Sequence, residues 1–205
     1  YLIRKRLEIA HPDLPQRKLD IALRHLLNYS LLESFKVTCF VHPLVQKVTG
    51  RRITSQNKEK LKDEALRICS ESCQGGNPET PEGRTELMRL IPHLEFVSLD
   101  NPLKVSQEVI EILWGFHYYQ GKYEKSKNIL DHFDNMVRKT PSLLSQMGMN
   151  LIELGEYDEA LKCLKQANEL IQSEDPFLPN ILNNIGLAWL KKGDYEKAKY
   201  FYSRV

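Results

Sequence analysis

The sequence predicts a mainly α-helical protein: a small domain with one short β-hairpin, a helical linker, and a solenoid of three antiparallel helix pairs. Three observations predict this. A glycine-centred turn recurs in the C-terminal half as Gln120-Gly121-Lys122-Tyr123-Glu124-Lys125-Ser126, Leu154-Gly155-Glu156-Tyr157-Asp158-Glu159-Ala160 and Lys192-Gly193-Asp194-Tyr195-Glu196-Lys197-Ala198. Apolar residues through most of the chain return at i, i+3, i+4 spacing, the stripe of an amphipathic helix. One stretch, near residues 31–41, switches to a period of two.

Composition narrows the function classes. In 205 residues, 29 Lys+Arg stand against 27 Asp+Glu, a net charge of +2, so neither a phosphate-driven nucleic-acid binder nor an acidic tail is coded. No apolar run approaches the ~20 residues of a membrane-spanning helix, so no membrane role is expected. Four cysteines, Cys39, Cys69, Cys73 and Cys163, are scattered without a framework spacing, which points to a reducing, cytoplasmic setting. Tyr1 replaces an initiator Met and Val205 falls inside a helical pattern, so the chain reads as a piece of a longer protein.

Taken in order, Leu19, Ala22, Leu23, Leu26 and Leu27 mark a helix over 14–28, with Asp13 as N-cap and Pro15 in its first turn. A turn is expected near Ser34. Beyond it Phe35, Val37, Cys39 and Val41 alternate with Lys36, Thr38 and Phe40, the signature of a hairpin. Pro43 then opens a helix whose buried face is Leu44, Val45 and Val48. Helix, hairpin, helix is the latter part of a winged-helix domain, assigned to residues 1–56. The linker, 57–102, holds a helix from Asn57 to Cys73, a loop over 74–81, and a helix marked by Leu87, Leu90, Ile91 and Leu94 that Pro92 is expected to kink.

The turn glycines are 34 and 38 residues apart, the period of a two-helix repeat. Gly supplies the unusual backbone angles of each turn, and the small residue three after the Tyr, Ser126, Ala160 or Ala198, allows the helices to approach. Seven residues before the glycines stand Trp114, Gly148 and Gly186, preceded by Leu113, Met147 and Ile185, while Pro141 and Pro176 close the first two units. The pattern resembles the tetratricopeptide repeat (TPR) over 103–205, in units of about 103–140, 141–178 and a truncated 179–205. Trp114 departs from it, since it fills a small-residue position.

The order of segments also resembles the region downstream of the nucleotidase core in STAND signalling ATPases of the NB-ARC/TPR type. The residues are Ala22 to Leu32, Phe40-Val41-His42-Pro43-Leu44-Val45-Gln46 and Arg89-Leu90-Ile91-Pro92-His93, followed by repeats. That resemblance implies that His42 reaches the β-phosphate of ADP and helps hold an inactive state, in a full-length protein that binds ADP or ATP and oligomerises on activation. Pro43 stands where the family has Asp, which puts the helix-start contact in doubt. The other reading of His42 is a strand-ending side chain bonded to backbone. No Gly-x-x-x-x-Gly-Lys-Ser/Thr loop occurs, so this chain is not expected to hold or hydrolyse ATP unaided, and no cofactor is expected in it.

In a TPR stack the first helix of each repeat lines a groove for a protein or peptide. By register the facing residues are Glu108, Glu111, Tyr118 and Tyr119; Ser142, Ser145, Met149, Ile152 and Glu153; and Asn180, Asn183, Leu187, Leu190 and Lys191. Asn183-Asn184-Ile185-Gly186 is similar to the Asn-bearing helices of kinesin-light-chain-like repeats, where an amide clamps a peptide backbone. The basic clamp of chaperone-binding TPR domains is not assembled, because Glu108, Glu111 and Glu153 repel a carboxylate. The same face could instead pack on another domain of the same protein.

Other candidates are weaker. Cys69 and Cys73 lie one helical turn apart but lack a matching second pair, so they read as packing residues before zinc ligands. No nucleophile has an activating partner, so no enzyme is expected. The basic Arg4-Lys5-Arg6 and Arg51-Arg52 clusters read as solvated surface before a DNA contact. The expected function is therefore a protein-interaction and regulatory segment of a STAND-type protein. The alternative is a stand-alone cytosolic TPR adaptor without nucleotide switching.

Overall fold

A computed structural model describes residues 32–35, 38–41, 55–73, 76–100 and 102–205. The chain divides into two compact units, residues 1–64 and 65–205.

In the first unit, strands β1 (Leu32–Phe35) and β2 (Thr38–Val41) pair antiparallel, with Leu32 opposite Val41, Ser34 opposite Cys39 and Phe35 opposite Thr38. The expected turn at Ser34 is corrected: Ser34 lies within β1, paired with Cys39. A turn at Ser34 would forfeit the pairs that Ser34 and Phe35 make with Cys39 and Thr38. The expected helices over 14–28 and from Pro43, His42 itself, and both basic clusters lie outside the described residues.

Helix α1 (Ser55–Cys73) enters the second unit, where Leu66 and Cys73 are buried and an exposed Arg67–Glu71 pair at 2.7 Å spans one turn. Such pairs contribute only a few tenths of a kcal/mol. Helix α2 (Pro81–Leu87) starts at Thr80, whose hydroxyl accepts from the Gly83 N–H at 3.1 Å, with Pro81 in its first turn. Helix α3 (Ile91–Asp100) follows after a turn at 88–90. The single kinked helix expected here is therefore two helices. Pro92 cannot donate to a preceding carbonyl, a defect costing about 3 kcal/mol inside a helix and nothing in a first turn, so the helix ends and restarts.

Three helix pairs complete the unit. Helices α4 (Gln107–Tyr118) and α5 (Tyr123–His132) form the first, with a one-turn α6 (Asp134–Val137) behind them. The second pair is α7 (Pro141–Glu153) and α8 (Tyr157–Leu170), and the third is α9 (Leu178–Lys192) and α10 (Tyr195–Tyr202). Gly121, Gly155 and Gly193 all sit at positive φ, 72°, 81° and 88°. Each turn carries the same two backbone bonds. Gly121 and Lys122 donate to Tyr118 and His117, Gly155 and Glu156 to Ile152 and Leu151, and Gly193 and Asp194 to Leu190 and Trp189, all between 2.8 and 3.0 Å. This is the Schellman arrangement, which satisfies the last carbonyls of a helix and needs a left-handed residue.

Pairing within a repeat depends on small residues. A Cβ on Gly148 would lie 2.6 Å from Leu164, and one on Gly186 2.7 Å from the Tyr202 ring, while Ala160 and Ala198 are buried opposite. The first pair solves the contact differently. Trp114 takes the glycine position, stacks on Tyr118 at 4.8 Å, and receives the Ser126 hydroxyl on its carbonyl at 3.1 Å. One apolar core runs from Leu66 and Leu94 through Ile110, Leu143 and Leu164 to Ile185.

Candidate functional site

The first helices of the three pairs stand together, α7 packing against both α4 and α9. Side-chain bridges tie them. Gln107 Nε2 donates to Glu111 Oε1 at 2.8 Å and to Ser142 Oγ at 2.9 Å, and Ser142 Oγ donates to Glu111 Oε1 at 3.0 Å, joining α4 to α7. Asn184 Nδ2 donates to Ser145 Oγ at 3.0 Å, joining α9 to α7.

At the α4 end a cleft of about 530 Å³ opens between α4, Gln146 of α7 and the Asn77-Pro78-Glu79 loop. The loop is held by Arg84, whose Nη1 donates to the Pro78 and Glu79 carbonyls at 2.8 Å each, and by the Asn77 side chain, which accepts from the Glu79 N–H at 2.8 Å. Pro78 sits so close over α4 that a Cβ on Gly115 would meet its ring at 2.9 Å. Tyr119 donates to Glu79 Oε1 at 3.1 Å, and burial together with this carboxylate pushes its phenol up to about 12. Burial, then the charges of Glu153, Tyr123 and Tyr119, push the Tyr118 phenol higher still. Both phenols are neutral donors at physiological pH.

The residues placed by register divide into three groups. Glu108, Glu111 and Tyr119 line the cleft, with Tyr118 packed beside Trp114 and Tyr119. Asn180, Asn183 and Lys191 are exposed along α9, and Met149 and Leu187 are half-buried. Ile152 and Ser145 are the exceptions, 3 % and 1 % exposed: Ile152 packs into the core, and Ser145 is covered and bonded to Asn184. Near the end of α7 the register turns toward the second helix of the pair, so Ile152 belongs to the core stripe.

Sequence reasoning missed Asn77, Pro78, Glu79, Ile112, Trp114 and Gln146, which complete the cleft. Gly115 is the signal that could have found them, because a glycine beside Trp114 on a helix outside the repeat pattern marks a close neighbour. Two wall atoms, Trp114 Nε1 and Gln146 Oε1, have no hydrogen-bond partner among the described residues. Among those residues no three His, Cys, Asp or Glu side chains are grouped to hold a metal ion, and no helix is long and apolar enough to cross a membrane.

The tetratricopeptide repeat family matches residues 139–205, which span the second and third helix pairs with their repeated glycine turns. The chain carries a TPR region. Two solved structures of MamA resemble it. One, MamA MSR-1 C2, is 20% identical with a TM-score of 0.52, covering 69% of this chain and 72% of its own. The other, a point mutant, is 20% identical with a TM-score of 0.53, covering 70% and 74%. At that identity the likeness is one of fold. No curated protein matches the chain. The first helix pair, which carries Trp114 where the other two have glycine, lies outside the TPR match.

Proposed function

We propose that this chain is a protein-interaction and regulatory segment whose TPR face receives a protein or peptide partner and performs no chemistry of its own. The observation that carries the reading is the row of first helices α4, α7 and α9, which presents a cleft at one end and the exposed amides of Asn180 and Asn183 at the other. An amide donates and accepts at once, which suits the backbone of an extended peptide. Another domain of the same protein could supply that peptide. Selection of displayed random dodecapeptides on the full chain tests the reading. Selected peptides should lose at least tenfold in affinity for the Asn183→Ala/Lys191→Glu variant, whose two sites are exposed and leave the fold alone. Unchanged affinity, or no selectable peptide, would defeat it.

A second reading places this segment in a STAND-type switch, with residues 1–56 as a partial winged helix, 57–102 as linker and 103–205 as sensor. Its support is the order of parts, a hairpin ending at Val41, helices, then repeats. The free thiol of Cys163 suits the cytoplasmic setting this requires. In the full-length protein His42 would contact ADP, and release would accompany activation and oligomerisation. ADP recovered from the heat-denatured full-length protein and lost on His42→Ala supports this. A parental reading frame with neither phosphate-binding loop nor bound nucleotide leaves the stand-alone adaptor.

A further inference from the structure

Resting on the groove reading above, we propose that the cleft between α4, Gln146 and the Asn77-Pro78-Glu79 loop is a subsite for a cationic side chain, arginine above lysine, carried by an extended partner peptide.

Three carboxylates, Glu79, Glu108 and Glu111, line the cleft, and no lysine or arginine does. None of the three forms an ion pair among the described residues, so no cation within the unit neutralises them. The Glu79 carboxylate accepts only from the neutral Tyr119 hydroxyl, Arg84 being bound to the Glu79 backbone carbonyl, and the Glu111 carboxylate accepts only from Gln107 and Ser142. Like charges lining one concave surface repel one another and focus a negative potential, which a cation relieves. The same field excludes a terminal carboxylate.

Two further observations point to a ligand. The walls are the rings of Trp114 and Tyr119, which meet edge to face at 6.1 Å, and an aromatic surface beside carboxylates suits a planar guanidinium better than an ammonium. Trp114 is 5 % exposed, yet its Nε1 donor has no partner among the described residues, nor has the Gln146 Oε1 acceptor. Both residues line the cleft, and a peptide backbone pressed into it would offer the carbonyl and N–H that these two buried atoms lack. The volume, about 530 Å³, is ample for one long side chain with its backbone. The cation therefore anchors at the first repeat, and the chain that carries it runs toward Asn183.

Fluorescence anisotropy with four fluorescein-labelled octapeptide pools, mixed at all positions but fixed centrally as Arg, Lys, Ala or Glu, tests the assignment on the 205-residue chain. The Arg pool should bind at least tenfold more tightly than the Ala pool, Lys between them and Glu weakest. The E108Q/E111Q variant should erase that order while its thermal melt stays unchanged. Asn183→Ala should weaken all pools equally and keep the order. An Arg pool no better than Ala, or a preference that survives E108Q/E111Q, overturns the cationic subsite and leaves the groove standing. Failure of every pool to bind removes both.

Discussion

Asn150 is wholly buried in α7, and neither side-chain atom has a partner among the described residues. The equivalent positions, two after Trp114 and Gly186, are Phe116 and Ala188, both apolar and buried. An unpaired buried amide costs roughly 1–3 kcal/mol, so an apolar residue of similar volume should stabilise. Asn150→Leu is expected to gain about 1 kcal/mol, read as a higher denaturation midpoint with unchanged slope. The glycines separate two demands that a sequence alone presents as one. Gly155 has open space around its missing Cβ and is required only for its backbone angle, whereas Gly148 is pressed against Leu164. Gly155→Ala should cost about 1 kcal/mol. Gly148→Ala should cost more, about 1–3 kcal/mol, because the second helix of the pair must move.

Between elements, the loop over 76–80 and helix α3 are fixed to α4 by contacts that can be titrated. Glu95 of α3 meets buried His117 of α4 and Lys125 of α5. Burial alone would raise the Glu95 carboxyl, but the hydrogen bonds from His117 and Lys125 outweigh it and hold it below its ordinary 4.5. A depressed carboxyl contributes stability that is complete above the ordinary value and is lost as pH falls through the folded one. Hydrogen exchange of α3 should therefore accelerate below about pH 4.5, and in Glu95→Gln that acid-dependent step should vanish. On the loop, Gly115→Ala should lift Pro78 and part Tyr119 from Glu79. Absorbance titration would then show one phenol moving from about 12 toward 10.0. A chain tracing confined to sequence could not see this loop as a wall: Asn77-Pro78-Glu79 has the composition of any linker, and only the missing Cβ of Gly115 hints at its neighbour. The hairpin turn was misplaced for a related reason. Ser34 favours turns by its side chain, but the ladder of four pairs it joins outweighs that local preference.

For the molecule, the second unit was largely legible because a repeat states its own period. Three glycine turns, two small-residue contacts and the apolar stripes of α4, α7 and α9 each fix one feature of one pair, and stacking repeats them. What the pattern did not carry were the departures from it: Trp114, the Pro92 break, and the inward turn of Ile152. Stacked pairs touch only their neighbours, so their stability is close to a sum of local terms. Gly186→Ala, which strikes Tyr202, should speed hydrogen exchange across α9 and α10 and leave α2 to α4 nearly untouched. Uniform acceleration through the unit would mean that it unfolds as one block. The three turn glycines have a last consequence, one of handedness. Each lies at a positive φ that strains an L-residue, and the mirror-image amino acid adopts that same angle without strain. A D-alanyl residue ligated in place of Gly155 should melt higher than the glycine it replaces, because it is born in the required angle and has less freedom to lose.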